Sequence, residues 1–258
     1  MIAYRCQTPG GQKDNSASYT VTTVHNNIET KHKSSCAFMF NNQQSFNEDV
    51  TIGNNVSNCE YMFRTCKALN KNIIIPDSVE YCRGMFDGCS NLNQNITIPN
   101  NIENTYVMFR ACYNINQNIK IPDRAKNIST MFSGCRNLNK SITIPNGVID
   151  MSYAFQDCTN FNQDIYIPDS VNNCAWAFQL CTHFMKNIYF KGQTYRYINV
   201  NNLVNGYLNA TTYANIYFNH ALNNIFNSLW GPWTVWTPMT NGFYNDTWHV
   251  YCYYNYDG

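Results

Sequence analysis

The apolar positions of this chain fall on a fixed grid. Phe40, Phe63, Phe86, Phe109, Phe132, Phe155 and Phe178 stand 23 residues apart without a slip. Three residues after each comes a cysteine (Cys66, Cys89, Cys112, Cys135, Cys158, Cys181), with Gln43 in the first copy. Three further on is an aliphatic or aromatic residue, then Asn47, Asn70, Asn93, Asn116, Asn139 or Asn162. The pattern closes on I-x-I-P at residues 73–76, 96–99, 119–122, 142–145 and 165–168, and seven copies fill residues 36–192.

The spacing predicts two local structures. I-x-I alternates and is rich in β-branched residues. Proline cannot donate to a ladder, so each segment reads as one short strand ended by its proline. M-F-x-x-C-x-x-L spaces its apolar residues by three, which suits a short helical or 3-10 turn. One such unit cannot bury its own apolar face, so the copies must stack. The expected fold is an α/β repeat solenoid with one short parallel strand per coil and helical turns opposite. At a strand spacing of ~4.8 Å, seven coils make a rod about 34 Å long.

The stretch ITIPNGVIDMSYAFQDCTNFNQDIYIPDSV, residues 142–171, resembles the BspA-like leucine-rich repeat. Within it, DMSYAFQDCTNFNQDI is similar to the M-x-x-M-F…F-N repeats of bacterial surface lipoproteins. The chain departs from the BspA-like pattern in often placing Met before Phe, and in Cys59, Cys82 and Cys174 where the pattern has an aliphatic residue. The resemblance implies leucine-rich-repeat coils used for adhesion or other protein and glycan contacts, and no catalysis.

The cysteines change the picture less than their number suggests. Stacked equivalents would lie about one strand spacing apart, ~4.8 Å, so disulfides between neighbours stay open geometrically. However, a second column, Cys36, Cys59, Cys82 and Cys174, is filled in other coils by Thr105, Ile128 and Met151. A site that takes Ile and Met is an apolar site where Cys serves as a small hydrophobe. The column after Phe reads the same way, as a reduced packing ladder. No C-x-x-C pair exists to suggest zinc. The asparagine column is expected to form a second ladder, its amides binding backbone groups of the turns between coils.

Two regions are candidate contact surfaces. The middle residue of I-x-I points away from the core, which makes Thr97, Lys120, Thr143, Tyr166 and Tyr189 either a solvated sheet face or a binding strip. The last segment concentrates Trp233, Trp236, Tyr244 and Trp248 in alternating, strand-like runs, a cap or a working tip for sugar or protein. Residues 1–35 read as an N-terminal cap or docking element, and 193–258 as an irregular C-terminal cap with a β-rich aromatic segment. In the latter, residues 221–231 suit a short amphipathic helix.

Composition narrows the function. The net charge is +1 and 13% of residues are charged, so neither nucleic acid nor an anionic membrane is an expected partner. The histidines show no metal-ligand spacing, and no nucleophile elbow or phosphate loop occurs. Catalytic residues, cofactors and metals are therefore not expected. No apolar run reaches the ~20 residues of a membrane span, and the N-terminus lacks a secretory apolar region. An extracellular-style repeat without an export signal points to a phage virion component, whose partners are other virion or surface proteins or a host-cell glycan or protein. A secreted or cell-surface bacterial adhesin and an intracellular interaction scaffold are the alternatives.

Overall fold

The computed structural model describes residues 34–190 and four later strands. The strands are β1 (Ser34–Ser35), β2 (Val56–Asn58), β3 (Ile165–Ile167), β4 (Asn187–Phe190), β5 (Ala214–Phe218), β6 (Thr237–Met239), β7 (Gly242–Asn245) and β8 (Val250–Tyr254). Residues 1–33 of the expected N-terminal element, the helix over residues 221–231, and Trp233, Trp236 and Trp248 lie outside the described residues.

The described coils form a solenoid, held by backbone bonds that leave alternate residues. In one coil Cys59, Tyr61, Phe63 and Thr65 donate N–H to the carbonyls of Tyr81, Arg83, Met85 and Asp87 at 2.7, 2.9, 2.9 and 2.6 Å. The residues between them bond within the coil: Met62, Arg64 and Cys66 donate to Cys59, Tyr61 and Phe63 at 3.2, 3.1 and 2.9 Å. Two coils on, Thr105, Val107, Phe109 and Ala111 donate in the same manner to Asn127, Ser129, Met131 and Ser133.

This arrangement corrects the helical reading of M-F-x-x-C-x-x-L. The three-residue spacing belongs to consecutive β-turns, and no helix occurs among the described residues. A helix would keep every N–H inside the coil. Here every second N–H is sent to the next coil, which tips the intervening peptides into type II turns. Such a turn needs positive φ at its third residue, and two columns supply it. Phe38, Tyr61, Gly84, Val107, Thr130, Tyr153 and Trp176 form the first; Asn42, Thr65, Gly88, Ala111, Gly134, Asp157 and Leu180 form the second. Only three of these residues are glycine, and an L-residue in this region costs roughly 1–2 kcal/mol. The stacked bonds hold the strain in place.

One core runs from Cys36 to Phe190. The repeated Phe rings are buried and stack face to face along it, with centroid spacings from 5.2 Å (Phe40–Phe63) to 5.8 Å (Phe109–Phe132). That spacing bears on the second correction, because the I-x-I column is not a strand in every coil. Among the described residues it is strand only in β3 and β4, which pair in parallel, with one further bridge between Thr51 and Ile74. These are the two places where the preceding Phe pair is closest, 5.2 Å for Phe40–Phe63 and 5.3 Å for Phe155–Phe178. The other Phe pairs stand 5.5–5.8 Å apart, and their I-x-I segments form no strand.

Each cysteine of the first column does more than pack. Its thiol donates to the Phe carbonyl of the preceding coil: Cys66 to Phe40, Cys89 to Phe63, Cys112 to Phe86, Cys135 to Phe109, Cys158 to Phe132 and Cys181 to Phe155, all at 3.0–3.1 Å. The Phe63 carbonyl, for example, takes both the Cys66 N–H and the Cys89 thiol. These cysteines are free thiols, as are Cys59, Cys82 and Cys174, whereas Cys36 is disulfide-bonded. Burial pushes the Cys66 thiol up to about 12 and raises those of Cys89, Cys112, Cys135, Cys158 and Cys181 as well.

The asparagine column bonds from coil to coil. Asn47 Oδ1 accepts the N–H of Asn70 at 2.8 Å, and the relay continues through Asn93, Asn116, Asn139 and Asn162 to the N–H of Met185. The side chain thereby supplies an acceptor where the chain leaves the turn and no backbone carbonyl is in line.

Three outcomes are expected. Cys112→Ala loses thiol volume and a buried hydrogen bond, and destabilises by about 2 kcal/mol in urea unfolding. Thr130 holds φ 58° with a β-branched side chain. Thr130→Gly therefore raises the unfolding free energy read in urea, by up to about 1 kcal/mol after the greater chain entropy of unfolded glycine, while Gly134→Ala, at φ 77°, lowers it. The thiols resist alkylation in the native state at pH 8 and react on unfolding. Because they stay protonated when folded but ionise near 9.0 when unfolded, the stability they contribute is present below pH 9. It is lost as pH rises from there towards 12, which a series of thermal melts reads directly.

Candidate functional site

The repeat places one outward column on the I-x-I face. Alternation buries both isoleucines and turns the middle residue out, as at Ile165, Tyr166 and Ile167. Thr97, Lys120 and Thr143 are exposed in the same way, and Ile74 is 73% exposed. The column keeps little free charge. Lys120 Nζ lies 2.9 Å from Asp123 Oδ2, which also accepts from Asn100 Nδ2 at 2.9 Å. The Lys120 hydrogen bond, then that of Asn100, holds the Asp123 carboxyl below the usual carboxylate range. On the neighbouring loops Glu103 pairs with Lys126 and Arg124 at 2.9 and 3.3 Å.

At the C-terminal end the column turns aromatic. Tyr166 and Tyr189 stack with ring centroids 4.7 Å apart and planes 12° from parallel. Asn187 Nδ2 donates to the Tyr189 hydroxyl at 2.9 Å, and the Asn187 N–H donates to Asp164 Oδ1 at 2.9 Å, which fixes this end of β4. Tyr166 nonetheless remains 43% exposed.

The sheet then continues beyond the regular repeats, in the order β3-β4-β5-β8-β7-β6. β3, β4, β5 and β8 are parallel, and their register aligns Tyr166, Tyr189, Tyr217 and Tyr253 in one row. Ile165, Ile188, Ile216 and Cys252 align in the row beside it. Two antiparallel strands close the order, with Tyr244 of β7 opposite Tyr251 of β8 and Thr237 of β6. Thus the structure joins the two regions that sequence set apart, the strip and the aromatic tail, in one sheet through β5 and β8.

The sequence reads Ile216-Tyr217-Phe218 as an echo of Ile188-Tyr189-Phe190 and counts Tyr253 among the aromatic tail, but it assigns neither tyrosine to the strip. For Tyr253 no spacing signal exists, since β8 enters beside β5 only through the tertiary fold. Among the described residues no group of three His, Cys, Asp or Glu could hold a metal ion. No helix among them is long and apolar enough to cross a membrane.

A leucine-rich repeat protein of T. pallidum, TpLRR, is similar over 51% of this chain and 64% of its own, at 25% identity and a TM-score of 0.43. A leucine-rich repeat protein from Bacteroides ovatus ATCC 8483 is similar over 74% of this chain and 61% of its own, at 21% identity and a TM-score of 0.42. The chain thus spans under two thirds of each of these proteins. No curated protein matches it. A family model, described as "Mycoplasma protein of unknown function, DUF285", matches residues 15–121 and again residues 104–220. Its two matches tile the coil stack, and the chain belongs to the DUF285 family.

Proposed function

We propose that this chain is a non-enzymatic binding protein that holds a glycan or protein of a host-cell surface on its I-x-I face. One observation carries the reading: a stacked pair of exposed Tyr166 and half-buried Tyr189, continued in register by Tyr217 and Tyr253. Aromatic side chains give large contact area for little lost rotamer freedom, and such residues dominate binding energy at interfaces. The face is otherwise small and hydroxylated, with its charges paired, which suits a neutral, hydrogen-bonding partner. The matched family is described as one of Mycoplasma proteins, which supports a bacterial protein ahead of a phage virion component.

Binding of labelled protein to cultured host cells tests this. A Tyr166→Ala, Tyr189→Ala double variant is expected to bind at least tenfold more weakly with an unchanged melting temperature, and Tyr→Phe at both positions to retain most of the binding. Equal binding by the alanine variant would return the face to plain solvated surface.

A further inference from the structure

A different side of the N-terminal coils carries chemistry that the I-x-I face does not. On the turn runs, the Arg83 guanidinium lies over two rings, 4.7 Å from the centroid of Tyr106 and 5.7 Å from that of Tyr61. Gly84 makes this possible. Its φ is +59°, and a β-carbon there would collide with Cδ1 and Cε1 of Tyr61, so the ring lies across the glycine. Phe38, 49% exposed, stacks on Tyr61 at 5.2 Å. The side chains therefore alternate along the rod as ring, ring, guanidinium, ring.

The charge around this group is unbalanced. Arg110 grips Asp87 through Nε–Oδ1 and Nη2–Oδ2 contacts, both 2.8 Å. Arg64 Nε stands 3.4 Å from Asp87 Oδ2, an ion pair that makes no hydrogen bond. Asp87 is 3% exposed and is thus sealed between the two arginines. Arg64 also faces Tyr61, at 5.7 Å. Arg64 and Arg110 share this one carboxylate, and exposed Arg83 has no acidic partner within ion-pair distance among the described residues. A planar fork held between rings is ordered before any ligand arrives, so less is lost on forming its bonds.

We propose that this patch is a second binding site, for a sulfated or carboxylated glycan. Arg83 takes the anionic group, and Phe38, Tyr61 and Tyr106 take the apolar C–H faces of adjoining sugar units. The low charge density favours this class of ligand. One unpaired guanidinium flanked by ring surfaces suits an anion set between neutral hydroxylated units. A nucleic acid, with a phosphate at every step, needs a longer basic track, and so does a run of acidic residues in a peptide.

The test is binding of the full chain to immobilised hyaluronan, whose carboxylates alternate with neutral sugar units, with unmodified dextran, poly-glutamate and single-stranded DNA alongside. Hyaluronan is expected to bind more tightly than all three. Arg83→Gln should weaken hyaluronan binding at least fivefold, with Arg83→Lys, which keeps the charge without the planar fork, between the two. Lys140→Gln, an exposed charge removed elsewhere on the rod, should change nothing. Melting curves verify the fold of each variant, and the lysine variant decides the matter if the glutamine variant is unstable. Wild-type affinity in Arg83→Gln, or in Arg83→Lys where that variant decides, would overturn the site. Poly-glutamate or DNA binding as tightly as hyaluronan would overturn the glycan.

Discussion

Everything in this solenoid depends on where alternate backbone N–H groups go. A buried peptide group needs a partner, and in the turn runs each second one finds it in the next coil. No coil can therefore complete its own bonding, and the fold exists only as a stack. The same choice excludes the helix that the three-residue spacing suggested, and it demands positive φ at two positions per coil. Eleven non-glycine residues accept that conformation. Tyr61, Val107 and Thr130 do so although local preference is against them, which shows how strongly the inter-coil bonds dictate the backbone.

The side-chain ladders then complete what the backbone leaves open. Phe stacking fixes the coil-to-coil distance inside, and the thiol of the next cysteine adds a donor at each Phe carbonyl. This gives the repeated Cys a reason beyond size. Serine would bring a strongly polar hydroxyl into an apolar core, whereas a thiol is both a small hydrophobe and a weak donor. Outside the core, Asn47 through Asn162 carry out the equivalent task where the chain leaves the turn. Because backbone and inward side chains hold the rod together, the outward columns are free to vary. They differ from end to end: Phe38, Tyr61 and Arg83 on the turns of the early coils, tyrosines on the sheet of the late ones.

Periodicity alone determined that this chain is a stack of 23-residue coils, which residues face inward, and which residues share each column. A fixed repeat permits these inferences because equivalent side chains must meet their own copies. The outward placement of Thr97, Lys120, Thr143 and Tyr166 could be read from I-x-I alternation in the same way. Backbone conformation could not be read so, since a spacing of three fits a 3-10 turn and a chain of β-turns equally. The two differ only in whether N–H groups bond within a coil or between coils, and that is a property of the assembled stack. Only tertiary structure decided which I-x-I segments pair, since the same I-x-I wording recurs in coils that pair and in coils that do not. It alone brought β8 beside β5, aligning Tyr253 with Tyr166 across an interval with no fixed period. It alone laid Tyr61 across Gly84 under Arg83, because contacts between unlike residues leave no repeating trace in a sequence.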